Sequence, residues 1–215
     1  MCAALPLLQW AHAAGCALDA QTCAAAAARG DLAMLRWARG AGAAWSAATC
    51  NLAAAEGHLE VLKWAHDNGC EWTYWTCRCA AQRGRLDVLS YLREHGCEWD
   101  QWTTSAAARG GHLEILQYAR ARGCAWDASA LCNAAAAGHV HVLRWARANG
   151  GAWHPGVCEC AAAAGRLDVL KFARAHGCPW TRETRRAALR HGHAAVFDWA
   201  RANGCPDDDA SPPIA

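Results

Sequence analysis

The chain has 215 residues, enough for one compact domain or one elongated array, and a formal net charge of +2 that excludes a global electrostatic drive toward nucleic acid or membrane surfaces. Arginine outnumbers lysine 19 to 2 and alanine is abundant, a bias that reads as coding composition before functional choice. Fourteen cysteines would suit a small secreted disulfide scaffold, but no N-terminal stretch joins a basic segment to a cleavable apolar core and no apolar run is long enough to span a bilayer, so the sequence predicts an intracellular, cytoplasmic chain whose cysteines are thiols, with no membrane partner.

In chain order, Leu5 to Ala14 aligns with Leu32 to Ala41 and predicts a helix whose natural companion does not precede it. Residues 1–18 are therefore expected to form an opening half-unit, either a sufficient cap or the start of a truncated array. Glycines then recur at 15, 42, 69, 96, 123, 150, 177 and 204, always 27 apart, and a second set follows the same period from Gly30 to Gly192. Such strict spacing implies seven units, each stacked on its neighbour in the same geometry. In one unit, Ser46 is an N-cap type, an alanine-rich segment runs to Gly57, and an apolar segment from Leu59 to Asn68 runs to Gly69. Thr73, Asp100, Asp127 and Thr181 occupy the same cap position as Ser46. Glu60, Asp87, Glu114 and Asp168 sit in the first turn of the second segment, with Arg39, His66, Arg93, Arg120, Arg147, Arg174 and Arg201 near its end. That order complements a helix dipole. No alternating β-branched run appears. The expected fold is an all-α helical-repeat solenoid over residues 1–205, and residues 206–215, rich in aspartate and proline, are expected to be a disordered tail.

The unit resembles the ankyrin repeat. Thr49 to Cys70 follows the family pattern closely, with Ala53-Ala54, Gly57-His58-Leu59-Glu60-Val61 and the closing Gly69 in register, and the likeness extends over essentially the whole chain. Ankyrin units have about 33 residues, and the residues missing here fall between Gly69 and Thr76, where the family carries a projecting β-hairpin finger. The resemblance therefore implies an ankyrin-like array with the fingers shortened or absent. It is closest in style to the compact Gly-Cys-x-Trp variant of protist and giant-virus multigene sets; for a viral chain the host cytoplasm would be the expected location. A finger-based binding mode does not carry over.

Two aromatic columns run along the array. Trp37, Trp64, Tyr91, Tyr118, Trp145, Phe172 and Trp199 lie in the second segment, preceded by Trp10, and Trp45, Trp72, Trp99, Trp126, Trp153 and Trp180 lie in the connection. A residue that returns in every unit meets the same surroundings, so core packing is expected. The cysteine columns, Cys16 to Cys205 after the glycine and Cys23, Cys50, Cys77 and Cys158 before the alanines, are expected to be small buried hydrophobes. Cys77-x-Cys79 and Cys158-x-Cys160 do not make a zinc pair, because residues two apart on a helix point to opposite sides. His58, His112, His139 and His193 share a position with Asp31, Arg85 and Arg166, which reads as a polar helix start, not a catalytic site. No nucleophile elbow, phosphate-binding glycine loop or paired carboxylate interrupts the repeats, so no catalytic residue, cofactor or metal is expected.

Function should lie where units differ. The first segments carry a variable stripe at positions equivalent to 21, 24 and 28, spacings that share one helix face. By the resemblance this face lines the concave side of the array. Its middle holds Tyr74, Trp75, Arg78 and Gln82 in one unit and Trp102, Ser105 and Arg109 in the next. Trp, Tyr and Arg dominate binding hot spots, so these residues are the expected contact surface of a monomeric, non-catalytic module for an unidentified protein partner. The competing expectation is that both rings fold over a neighbouring unit. A nucleic acid or acidic ligand held by the arginine columns is the alternative function. Arg182, Arg185, Arg186 and Arg190 in the last unit read first as a solvated terminal face.

Overall fold

A computed structural model describes residues 4–207; all but the first two residues of the expected tail lie outside them. Among the described residues there are fifteen helices and no strand. Helix α1 (Ala4–Ala13) opens the chain. Three helix pairs follow: α2 (Ala20–Ala28) with α3 (Leu32–Gly40), α4 (Ala47–Glu56) with α5 (Leu59–Asp67), and α6 (Tyr74–Gln82) with α7 (Leu86–Glu94). Four more are α8 (Gln101–Gly110) with α9 (Leu113–Ala121), α10 (Ala128–Ala137) with α11 (Val140–Ala148), α12 (Pro155–Ala163) with α13 (Leu167–Ala175), and α14 (Arg182–Arg190) with α15 (Ala194–Ala202). The connections, such as residues 68–73, hold no β-hairpin finger. The chain forms two compact units that divide between Thr103 and Thr104, within α8.

Each first helix starts where its side-chain cap dictates. Ser46, Thr73, Asp100, Asp127 and Thr181 accept the backbone N–H two residues on, which meets one of the free donors of the first turn. Asp19 does the same from Thr22, and His154 uses Nδ1 to accept from Gly156, ahead of Pro155 at the first helical position. The helices end in Schellman turns. After α5, Gly69 N–H donates to the His66 carbonyl and Cys70 N–H to that of Ala65; after α6, Gly84 pairs with Ala81 and Arg85 with Ala80.

Within each unit the first helices carry most of the packing between repeats: α2 lies on α4 and α4 on α6 in the first, α10 on α12 and α12 on α14 in the second. Their contact faces are alanines with no exposed surface, such as Ala53, Ala54, Ala80 and Ala81, which let the backbones approach closely. The second helices bury a larger triplet, Val61, Leu62 and Ala65 in α5 and its equivalents Val142, Leu143 and Ala146 in α11. Burying one such leucine stabilises by about 1.5–3 kcal/mol.

The residue expected to be a mere polar helix start has a more definite task. In the first unit, His58 Nε2 contacts the Ala28 carbonyl at 3.2 Å and Arg85 Nε donates to the Ala55 carbonyl at 3.2 Å. In the second, His139 contacts the Arg109 carbonyl, Arg166 Nε donates to that of Ala136, and His193 contacts that of Ala163. Every one of these bonds spans thirty residues and reaches back to the C-terminal end of the first helix of the preceding repeat. Helix ends there leave carbonyls without intrahelical partners, and a donor from the next repeat meets one of them. Histidine and arginine are interchangeable because either presents an N–H at the required reach. Asp31, an acceptor, instead caps its own helix by accepting from Met34 N–H.

The preceding glycine serves the same joint. Gly165 has φ +69°, and a Cβ built there would lie 2.7 Å from the His193 ring, whereas Gly177, φ +78°, has nothing within 4 Å of such an atom. Left-handed backbone alone costs a non-glycine residue roughly 1–2 kcal/mol. Gly165→Ala is therefore expected to destabilise more than Gly177→Ala, by about a further 1 kcal/mol for the displaced His193 bond, as read from urea midpoints. Arg85→Leu should cost about 1–3 kcal/mol by leaving the Ala55 carbonyl unmet, while Arg85→His should retain most of the lost stability. Burial, the largest influence, pushes the His139 imidazole below its ordinary pKa, against a weaker opposing pull from the Arg109 carbonyl. Unfolded His139 takes up a proton as pH falls through about 6.5 while the folded residue resists, so stability declines as pH drops through that value and on through the folded one. A His139→Arg variant should show a smaller fall in urea midpoint between neutral and mildly acidic pH.

Candidate functional site

The two aromatic columns treated as separate core ladders in the sequence come together in the structure. Trp45 meets Trp64 edge-on with centroids 6.0 Å apart, and Trp72 meets Tyr91 in the same way at 6.2 Å. Trp126–Trp145 and Trp180–Trp199 repeat the pairing in the second unit. These rings are half-buried, not interior, which corrects the core expectation; the alanine and leucine columns form the core. The arginines near the ends of the second helices cover them. Arg39 lies 4.1 Å from the Trp45 ring and donates to the Ala43 carbonyl; Arg93 over Trp99, Arg147 over Trp153 and Arg174 over Trp180 do likewise with the Cys97, Gly151 and Cys178 carbonyls. His66 takes this role in its repeat, stacked on Trp72 at 3.3 Å. The arginine column is thus a stacking lid on the tryptophan column as well as a partner for the helix dipole.

The variable stripe behaves differently. Thr73 and Asp100 hold the backbone N–H groups of Trp75 and Trp102, so each ring projects from the capped first turn of its helix. Thr76 is buried and donates to Asn51 Oδ1 at 2.7 Å, which fixes α6 against α4 beneath the rings. Above that base, Tyr74, Trp75 and Trp102 remain 51%, 47% and 46% exposed. The Arg78 guanidinium lies 4.1 Å from the Trp75 ring and 5.6 Å from the Trp102 ring. The structure therefore brings Trp75, Arg78 and Trp102 into one cation–aromatic cluster within the first unit, with Tyr74 beside Trp75 on α6 and Gln82 exposed two turns on. Neither ring is folded away under a neighbouring repeat.

The two remaining expected contact residues belong to the second unit. Arg109 is exposed and borders a shallow depression lined by Asn133, Ala136 and Ala137. Ser105 is buried, and its hydroxyl shares a 2.7 Å hydrogen bond with Ser129, which in turn donates to the Asp127 cap. Its small side chain packs between helices and offers nothing to a ligand. In the last repeat, Arg186 and Arg190 both pair with Glu183, at 2.7 and 3.5 Å, and Arg185 pairs with Asp207 at 2.9 Å and lies over Phe197. These contacts fit a solvated terminal face.

The cysteines divide into kinds that the sequence does not separate. Cys77 Sγ contacts Cys97 Sγ at 3.3 Å, and Cys97 Sγ donates to the Thr73 carbonyl; Cys50 with Cys70, and Cys158 with Cys178, repeat the relay. All six are buried. Cys132 and Cys160 form a further hydrogen-bonded thiol pair that is only partly buried. Cys158-x-Cys160 thus splits between two partnerships, and no group of three possible metal ligands occurs among the described residues. The signal for the unusual pair was available as a diagonal, position 24 of one repeat against position 25 of the next, which column-by-column comparison overlooks.

Residues 50–93 match the family model for ankyrin repeats (many copies). No curated protein matches the chain. Among solved structures, the crystal structure of the human ASB11 ankyrin repeat domain superposes with a TM-score of 0.62 at 17% identity, over 86% of this chain and 98% of that one. At that identity the likeness is one of fold.

Proposed function

We propose that this chain, which matches the ankyrin-repeat model at residues 50–93 and an ankyrin repeat domain in fold over 86% of its length, is a protein-binding module whose contact surface centres on Tyr74, Trp75, Arg78 and Trp102. Ankyrin repeats are in general protein–protein interaction modules and not catalysts. The observation that carries the assignment is Arg78 lying against two half-exposed tryptophans in a single column that elsewhere holds glutamine, alanine, serine, glycine or glutamate. Scaffold demands do not explain aromatic rings at those two positions. A partner gains large desolvated area from the rings and a directional charge from Arg78, the combination that dominates binding hot spots. Recognition proceeds by burial and shape, with no bond made or broken. Helix-borne side chains on capped first turns are rigid, which lowers the ordering cost of association.

The alternative, an acidic ligand or nucleic acid on the arginine columns, is weakened by the same structure. Arg39, Arg93, Arg147 and Arg174 already stack on tryptophan and donate to turn carbonyls, so phosphate contact would have to displace both interactions.

Affinity capture from a lysate of the source cell or its host tests the proposal, with the intact chain run beside a Trp75→Ala, Trp102→Ala variant of unchanged circular dichroism. A protein held by the first and lost by the second, with affinity weakened about 30-fold or more, is the expected result. Equal capture by both would overturn the assignment of the face. Capture that collapses steeply between low and moderate salt and releases nucleic acid would move the function to the arginines.

A further inference from the structure

Four thiol pairs lie within the two units, and one stands apart in exposure and in placement. Cys50–Cys70, Cys77–Cys97 and Cys158–Cys178 are sealed in the core and belong to repeating columns. Cys132 on α10 and Cys160 on α12 are partly exposed and belong to the variable stripe and the column beside it. At the position of Cys132 other repeats carry alanine, asparagine, arginine, serine or glutamate, and at that of Cys160 alanine, leucine, asparagine or the single Cys79. Only this pair of repeats places cysteine at both ends of the diagonal. Packing of α10 on α12 therefore tolerates many residues there, and the two thiols are not required to fill space.

The local geometry opens the pair further. Cys132 Sγ lies 3.2 Å from the point where a Cβ on Gly156 would stand, so it rests against the α12 face formed by Gly156 and, one turn on, Cys160. The column of Gly156 carries Trp75 and Trp102 in earlier repeats. Glycine there leaves the sulfur without a side chain to screen it. The hydrogen bond between them is the largest influence on both thiols: it pushes Cys132 up, with burial adding to the rise, and brings Cys160 down to about 7 against the opposing effects of burial and then Glu159.

We propose that Cys132 and Cys160 form a peroxide-responsive dithiol that closes to a disulfide between the first helices of adjacent repeats. Cys160 is the attacking thiolate. Its sulfur forms a bond to one oxygen of hydrogen peroxide, the O–O bond breaks, and the departing hydroxide takes up a proton to become water, leaving Cys160 as a sulfenic acid. The Cys132 sulfur then attacks the Cys160 sulfur; the S–S bond forms, the S–O bond breaks, and the hydroxyl leaves as a second water with the Cys132 proton. Two thiols lose two electrons to one peroxide. The cross-link ties α10 to α12 across one repeat joint, and the six sealed thiols stay reduced.

Limited peroxide treatment of the folded full chain, followed by denaturing alkylation and peptide mass spectrometry, tests the site. The expected product is a Cys132–Cys160 linked peptide that appears before any modification of Cys50, Cys70, Cys77, Cys97, Cys158 or Cys178 and reverts with dithiothreitol. Cys132→Ser, the residue already found at Ser105 in that column, should abolish the link and leave a sulfenic acid on Cys160 that dimedone traps. Cys160→Ala, matching Ala187, should leave Cys132 unmodified at the same peroxide dose. Oxidation confined to the exposed Cys16, or a Cys160 no more reactive toward iodoacetamide than Cys16, would overturn the proposal.

Discussion

A short helix in a repeat ends with carbonyls that its own turns cannot satisfy, and the next repeat supplies a donor for one of them. The bonds from His58, Arg85, His139, Arg166 and His193 to carbonyls thirty residues back fix the spacing between repeats within each unit. Once the spacing is fixed, the alanine faces of the first helices meet without gaps, and the Val-Leu-Ala triplets of the second helices close the core. At Gly30, Gly111 and Gly165 the glycine column, already required by its left-handed turn, also leaves room for the donor of the next repeat. A side chain at Gly30 or Gly165 would occupy the space of the incoming ring. Turn geometry, glycine and donor form one joint.

The same separation of tasks decides which residues are available for binding. Residues of the recurring columns are engaged where their contacts are seen: Arg39, Arg93, Arg147 and Arg174 cover tryptophans, four tryptophans pair edge-on with the next column, and three thiol pairs relay hydrogen bonds from helix to turn. A ligand competing for them would have to dismantle scaffold. Trp75, Arg78 and Trp102 stand outside that arrangement, on first turns whose caps at Thr73 and Asp100 hold the backbone steady. Their cluster costs the scaffold little to display, since the base below it is set by Thr76 and Asn51.

Much of this was legible in the sequence. Period, helix limits, caps and closing glycines follow from backbone chemistry that acts within a few residues, so Ser46, Thr73 and Gly69 announce their roles locally. Grouping of Trp75 with Arg78 was legible for the same reason, being three residues apart on one helix. What was not legible depends on distances between repeats. His58 looks like a helix-start residue because its partner, Ala28, is in another unit. The aromatic columns look like core because recurrence reveals constancy of surroundings, not burial. Ser105 shares a helix face with Arg109 yet lies under the next helix, and only the packing of Ser129 against it shows which part of the stripe is covered.

The joint has a direction. Within each unit the bond runs one way: His58 and Arg85 in the first, and His139, Arg166 and His193 in the second, each donate to the repeat before them, and the carbonyl is offered to the repeat after. A block excised from the array would carry, at its leading edge, a histidine or arginine that water solvates readily, and at its trailing edge a helix end stripped of its partner. The two cuts are chemically unequal. Because the donor lies thirty residues beyond its carbonyl, past the next first helix, a borrowed block ends on an open helix end wherever it is cut, and a graft holds best where the host's following repeat presents histidine or arginine at the donor position.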